Sequence, residues 1–405
     1  MPAWVAALSA TLLMQAVASF LTQSLPVLAP LITESAGLAP ESIGNLSSLT
    51  AFGTVMFLLL GGPFLARLGP VRMLQAGAAM GAVAMVLAGF GSLPALIVAS
   101  FVLGIGYGPS PPAGSRILAA TAPKGHRTLI FSVKQAGAPL GGALAGLISA
   151  PVAAYAGWPA ALAVAVVVAI VSATIIQPLR DTLDAERDAN RAINLGAVLS
   201  PATLASPITA LRADKLLPPL TILSLSFALV QGCLFTFTVT WLVETRHFTL
   251  VQAGTAFAAM QSAGVVARII LGWMADRTGH ATVNLLIQAF VASLTVLALA
   301  LLPLDASPAL ITLLCAASGF LAASWNGISM AEVARVSPPD RVGDVTAGTT
   351  LFIFLGYTVG PTAFAALVTL SGGWVLPMVV TAVQLGIVAA LVSVMRFRTA
   401  RSASP

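Results

Sequence analysis

Two cations sit deep in apolar sequence. Arg268 lies in the run Gln261-SAGVVARIILGW-Met274, eight residues before Asp276, where the polar stretch Ala275-Asp276-Arg277-Thr278-Gly279 begins. On a helix that spacing puts the guanidinium ~12 Å below the polar edge. Lys134 follows Arg127 by seven residues, a depth of ~10 Å on the same geometry. A charge held at such a depth in hydrocarbon costs at least ~2.5–3.5 kcal/mol unless a partner or a wet cavity meets it. Binding an anion supplies that partner. Arginine offers a planar two-pronged fork and lysine a compact point charge. Bonding of either side chain to helix carbonyls, or to a structural partner, is the other reading, and Lys134 could also be buried in its neutral form.

The remaining polar residues of the apolar runs are few. Gln15, Ser19 and Gln23 follow one another by four and share a helix face. Gln231, Gln261, Trp325, Asn326 and Tyr357 complete the candidate binding set, each able to line a cavity or to tie one helix to another. Arg116 and Glu332 each stand seven residues before a proline, Pro123 and Pro339, and read as a pair of gating charges or, for Glu332, as a proton carrier. His126, His247 and His280 all fall at the ends of apolar runs, and Cys233 and Cys315 have no metal-ligand spacing. No HExxH, GxSxG or phosphate-binding glycine loop is present, so neither an enzyme, nor a metal or organic cofactor, nor ATP drive is expected.

These residues are positioned by membrane spans. The chain is 58% hydrophobic and only 8% charged, against roughly 25% charged in soluble domains. Runs long enough to cross a bilayer recur twelve times, near 4–32, 42–66, 71–91, 95–120, 128–150, 158–178, 217–244, 251–275, 280–302, 307–334, 345–370 and 374–395. The first run is too long for a cleavable leader and has no basic residue before it. Of the 19 Lys and Arg, Arg116, Lys134 and Arg268 lie within spans and only Arg246 falls on one side; the rest, including Arg67, Arg72, Lys124, Arg191 and Arg277, fall on the other. That asymmetry predicts cytoplasmic termini in an inner membrane. It accounts for the net charge of +6 without any nucleic-acid partner.

The polar stretch 179–215 divides the chain into a first bundle, 1–178, and a second, 216–405, which ends in a short cytoplasmic tail. Part of the stretch could form a short surface helix. The halves repeat. Aligning Gly69 with Gly279 also pairs Gly62 with Gly272 and Arg67 with Arg277, and the glycine-proline clusters 137–142 and 356–361 follow in order. Parallel six-span halves are a transporter architecture, with substrate bound near the midplane.

Gly272-x-x-Ala-Asp-Arg-x-Gly279 resembles the loop signature of the major facilitator superfamily, and Gly137-x-Pro-x-Gly-Gly142 is similar to its fifth-span motif. The resemblance covers essentially the whole chain. It implies an all-α integral membrane fold of twelve transmembrane helices in two pseudo-symmetric six-helix bundles, monomeric, rocking about a central site. Asp276, Arg277, Arg67, Arg72, Arg116 and Glu332 would then gate the cytoplasmic side. The first loop departs from the pattern, because Ala66 stands where an acid is usual and helps latch that side closed. Ala263-Gly-Val-Val-Ala-Arg268 resembles span 8 of the monocarboxylate transporters, where an arginine contacts the substrate carboxylate; the acid usual four residues earlier is Gly264 here. In that fold spans 5 and 8 are neighbours, so Lys134 and Arg268 would clamp one anion. The expectation is a secondary transporter for a small organic anion, such as a monocarboxylate, with proton symport, exchange and facilitated diffusion all open. An efflux antiporter for drugs or metabolites is the alternative.

Overall fold

A computed structural model describes residues 2–123, 127–185, 187–190, 193, 196 and 200–402. Lys124, His126 and Arg191 lie outside the described residues, as do the side chains of Arg127, Arg398 and Arg401. Twelve helical spans are long and apolar enough to cross a membrane: α1 (Trp4–Ser35), α2 (Pro40–Leu60), α3 (Pro70–Ala88), α4 (Leu93–Thr121), α5 (Ile130–Ala156), α6 (Trp158–Leu183), α7 (Leu217–Arg246), α8 (Leu250–Thr278), α9 (Ala281–Ala300), α10 (Pro308–Val336), α11 (Val342–Ser371) and α12 (Val375–Arg396). The number and order are those predicted. The second span ends earlier than predicted, since Gly61-Gly62-Pro63 starts a separate short helix, Gly62–Leu68. Apolar side chains such as Val86, Ile269, Leu294 and Leu313 are well exposed, as lipid-facing positions of a spanning helix must be.

The described residues form two compact units: residues 1–199 with 236–258, and 200–235 with 259–405. The bounds of the units pass through α7 and α8. The first unit gains the start of α8 because Gly254 meets Gly146 of α5 so closely that a Cβ on either would overlap the other's carbonyl.

In the first unit, close backbone approach sets the packing, as expected where lipid offers no hydrophobic drive between helices. A Cβ at Gly141 of α5 would overlap the Ala16 carbonyl of α1, and one at Gly104 of α4 would overlap the Thr50 carbonyl of α2. Thr54 adds a hydrogen bond to the Gly104 carbonyl at 3.0 Å. The second unit adds hydroxyl ties to the same close approach, which is seen where a Cβ at Gly319 of α10 would overlap the Met260 carbonyl of α8. Ser224 and Ser329 tie α7 to α10 at 2.5 Å, Thr221 and Thr349 tie α7 to α11 at 3.3 Å, and Ser293 donates from α9 to the Ala382 carbonyl of α12 at 2.7 Å. The polar stretch contributes a helix, Pro201–Ala210, whose end packs with Leu217, Leu220, Val333 and Val345.

Gly69 and Gly279, paired by the internal repeat, both have left-handed φ, +92° and +66°. At Gly69 the turn meets the start of the polar stretch. Asp184 is 4% exposed, and its carboxylate accepts from the backbone N–H groups of Val71 at 2.7 Å and Arg72 at 3.2 Å. The Asp188 N–H donates to the Ala66 carbonyl at 3.0 Å. The first-half loop thus lacks its own acid but is held by one from beyond α6, which caps the start of α3 where the helix dipole favours negative charge. Asp184→Ala should lower unfolding stability by about 1–2 kcal/mol, read as a fall in melting temperature. The exposed Asp181→Ala, three residues away, should leave it unchanged.

Candidate functional site

Lys134 of α5 is 1% exposed, among the largest fully buried side chains of the protein. Its nearest polar partner is Gln135 Oε1 at 3.5 Å, too long for more than a weak hydrogen bond. It forms no ion pair among the described residues. Gly114 of α4 makes room for it: a Cβ there would lie 2.7 Å from Lys134 Cε and 3.3 Å from Nζ, with Thr11 of α1 beside them. One turn further along α5, Gly137 lets α1 approach, so that a Cβ would lie 3.0 Å from that of Gln15.

Gln15 is 2% exposed and donates from Nε2 to the Tyr107 hydroxyl at 3.2 Å. Its Oε1 is buried without a partner, as is that of Gln23. Ser19 is buried against Gly141. The four-residue spacing therefore brings Gln15 and Ser19 to one seam with α5. Tyr107 is drawn in by Gln15. The result is a buried lysine with the Gln135 amide oxygen at 3.5 Å and no ion pair among the described residues. That is an arrangement able to hold a small anion, with the cost of the charge left uncompensated in the unliganded state.

The second unit contains the other set. α10 breaks between Ala322 and Asn326, which frees carbonyls from helical pairing. Arg268 Nη2 donates to the Ala323 carbonyl at 3.2 Å, and Gln288 Nε2 donates to the Leu321 carbonyl at 2.7 Å and to Ser324 Oγ at 3.0 Å. The carbonyl-bonding reading of Arg268 is thus realised for one of its nitrogens. The side chain is only half-buried. Gln288 and Ser324 were missed, although a glutamine inside an apolar run is the same signal that singled out Gln261. Gln261 is 1% exposed with its Oε1 unpartnered. A Cβ at Gly264 would stand in ordinary contact with the Gly319 carbonyl of α10, at 3.4 Å. Gln231, Trp325 and Tyr357 form one cluster: Gln231 Oε1 accepts from Trp325 Nε1 and from the Tyr357 hydroxyl, each at 3.0 Å. Asn326 is half-buried at the first turn after the break and takes part in none of these bonds.

The gating set is dispersed within its units. Arg67 and Arg72 are exposed, and Arg72 meets Asp184 through its backbone. Arg116 Nη1 donates to the Leu65 carbonyl at 3.5 Å. Asp276 and Arg277 are exposed, with the Arg277 guanidinium 5.2 Å from the centre of the Trp273 ring. Glu332 is 4% exposed and bound on both oxygens, by Arg335 at 2.7 and 2.8 Å and by the Thr282 hydroxyl. Among the described residues, no group of three His, Cys, Asp or Glu could hold a metal ion.

Comparison with known proteins places this geometry. Residues 11–361 match the model of the family described as Major Facilitator Superfamily. Over 122 residues the chain is 35% identical to the probable sulfoacetate transporter SauU of Cupriavidus necator; the stretch is 30% of this chain and 28% of that protein's length. The match thus spans little more than a quarter of that curated relative. Among solved structures, the chain is similar to a peptide transporter POT in complex with sulfate, with a TM-score of 0.77 at 13% identity, covering 98% of this chain and 95% of the other. It is also similar to a bacterial homolog of the human lysosomal transporter Spinster, in an inward-facing and unoccupied conformation, with a TM-score of 0.75 at 15% identity, covering 98% and 97%. At these identities the structural likeness is one of fold.

Proposed function

Because the chain belongs to the Major Facilitator Superfamily, we propose that it carries a small organic anion, a carboxylate or sulfonate, across the membrane by alternating access, with Lys134 as the substrate's counter-charge. The observation that carries this reading is the buried Lys134 ammonium with no ion pair among the described residues. A family of transporters supplies the flux; an unpaired buried cation supplies the sign of the cargo. The partial likeness to a probable sulfoacetate transporter supports the same sign. Arg268 is proposed as the second cation, a half-buried planar guanidinium whose fork geometry suits a carboxylate or sulfonate.

We place anion exchange or facilitated diffusion ahead of proton symport, because Glu332, the deepest acid of the second half, already holds Arg335 and Thr282. The two six-span halves joined by 179–215, the inner membrane and the cytoplasmic termini belong to the same proposal. Cysteines introduced at Ala36 and Ala185 should label from opposite sides of the membrane. Labelling of both by an impermeant reagent outside intact cells would contradict that orientation.

A thermal-shift series on the purified protein tests the substrate class, since a ligand of the folded state raises the melting temperature. Sulfoacetate, acetate, lactate and sulfate should include at least one stabiliser, whereas cationic drugs should not stabilise. Arg268→Lys keeps the charge but loses the fork, and should weaken the response to the stabilising anion about tenfold or more. Stabilisation by cationic drugs alone would turn the reading to efflux.

A further inference from the structure

Gln231 carries an amide whose orientation is fixed by its neighbours. An indole nitrogen can only donate, so the atom 3.0 Å from Trp325 Nε1 must be the amide oxygen. The Tyr357 hydroxyl donates to the same oxygen at 3.0 Å, which fills both of its lone-pair directions. Neither donor is free to swing away. Trp325 is fully buried and stacked on Phe227 at 5.4 Å and 12°, and Phe227 lies one helical turn before Gln231 on α7. Phe354 meets the Tyr357 ring edge-on at 5.6 Å.

The other end of the amide is therefore presented by design of its surroundings. Gln231 is 5% exposed, and its Nε2 meets no acceptor among the described residues. Two N–H donors on a buried, immobilised group, with their acceptor missing, are complementary to an oxygen that arrives with a ligand.

We infer that Gln231 Nε2 is a specificity donor for the transported anion, hydrogen-bonding an oxygen of its carboxylate or sulfonate, with Trp325 and Tyr357 as the positioning residues. The inference rests on the anion reading given above and assigns the polarity of recognition in the second unit. The Gln231 amide oxygen is already taken by Trp325 and Tyr357, so this group meets a ligand as a donor and not as an acceptor. A neutral donor selects acceptor-rich groups without adding charge, which keeps the site compatible with release.

Purified wild type and variants are titrated with sulfoacetate and with acetate, reading both affinity and the melting temperature of the unliganded protein. Gln231→Leu removes the donor and should weaken binding roughly 10- to 100-fold. Gln231→Glu can still accept from Trp325 and Tyr357 but sets a negative oxygen where the donor was. It should bind more weakly than Gln231→Leu. Trp325→Phe keeps the stacking ring yet frees the amide to turn. It should weaken binding in the wild-type background and have no further effect on affinity in Gln231→Leu, a coupling that loss of packing alone does not give. Wild-type affinity in Gln231→Glu, with binding lost in Lys134→Met, overturns the role of Gln231 and leaves the anion reading standing. Failure of sulfoacetate, acetate, lactate and sulfate alike to stabilise the wild type overturns both.

Discussion

Lys134→Met should raise the melting temperature of the unliganded protein while removing its response to small anions. The two effects share one cause. The ammonium is 1% exposed and has no ion pair among the described residues, so its desolvation is uncompensated until an anion arrives. Methionine has nearly the same length and fills the space that Gly114 leaves without a charge to desolvate. The gain is on the order of 1–3 kcal/mol, seen as a rise of a few degrees by scanning fluorimetry. Such an exchange of stability for function is expected where a site is held in readiness for its ligand. A Lys134→Met protein that melts lower than wild type would mean that the ammonium is satisfied structurally. Lys134→Arg should melt near or below the wild type, because its wider head meets α4 at Gly114.

Gly141→Val should have the largest effect on folding. Its Cβ would overlap the Ala16 carbonyl and crowd the Phe20 N–H and Ser19 Cβ. A carbonyl inside a helix cannot step aside as a long side chain can, so α5 would have to part from α1. Lys134 and Gln15 lie along that same seam, and the site would open with it. Overpacking of this kind costs 1–3 kcal/mol or more, here in backbone contact, so low yield of folded protein and a melting temperature several degrees lower are expected. Gly272→Ala is the control. That glycine belongs to the motif loop, but a Cβ there has nothing within 4 Å, so the melting temperature should hold. Equal losses in both variants would show that glycine matters here for chain conformation and not for close approach.

The spans were legible because lipid demands it: a segment without water must be apolar over its whole length and helical throughout. The pairing of Gly69 with Gly279 was legible as well, since both turns need left-handed φ and only glycine adopts it cheaply. Burial of Lys134 followed from its depth in the run. The partners of the other candidates were not legible. Gln231 shares its oxygen between residues 94 and 126 positions away, and a glutamine on a helix gives no sign of which distant ring will face it. Asp184 lies among mixed charges in the polar stretch and reads as a solvated surface acid. Only the fold brings it to the start of α3, 113 residues away in sequence. Arg268 reads as an open fork because the break in α10, which supplies the Ala323 carbonyl, lacks a proline or glycine between Ala323 and Trp325 to announce it.

The proposal that Lys134 is the counter-charge of a transported anion is tested most directly by equilibrium binding of radiolabelled sulfoacetate to purified protein, wild type against Lys134→Met. Wild type should bind saturably. Lys134→Met should lose on the order of 2–5 kcal/mol of binding free energy, as when one partner of a buried charge pair is removed, which takes saturable binding out of range while the protein remains folded. Wild-type affinity in folded Lys134→Met protein would contradict the account.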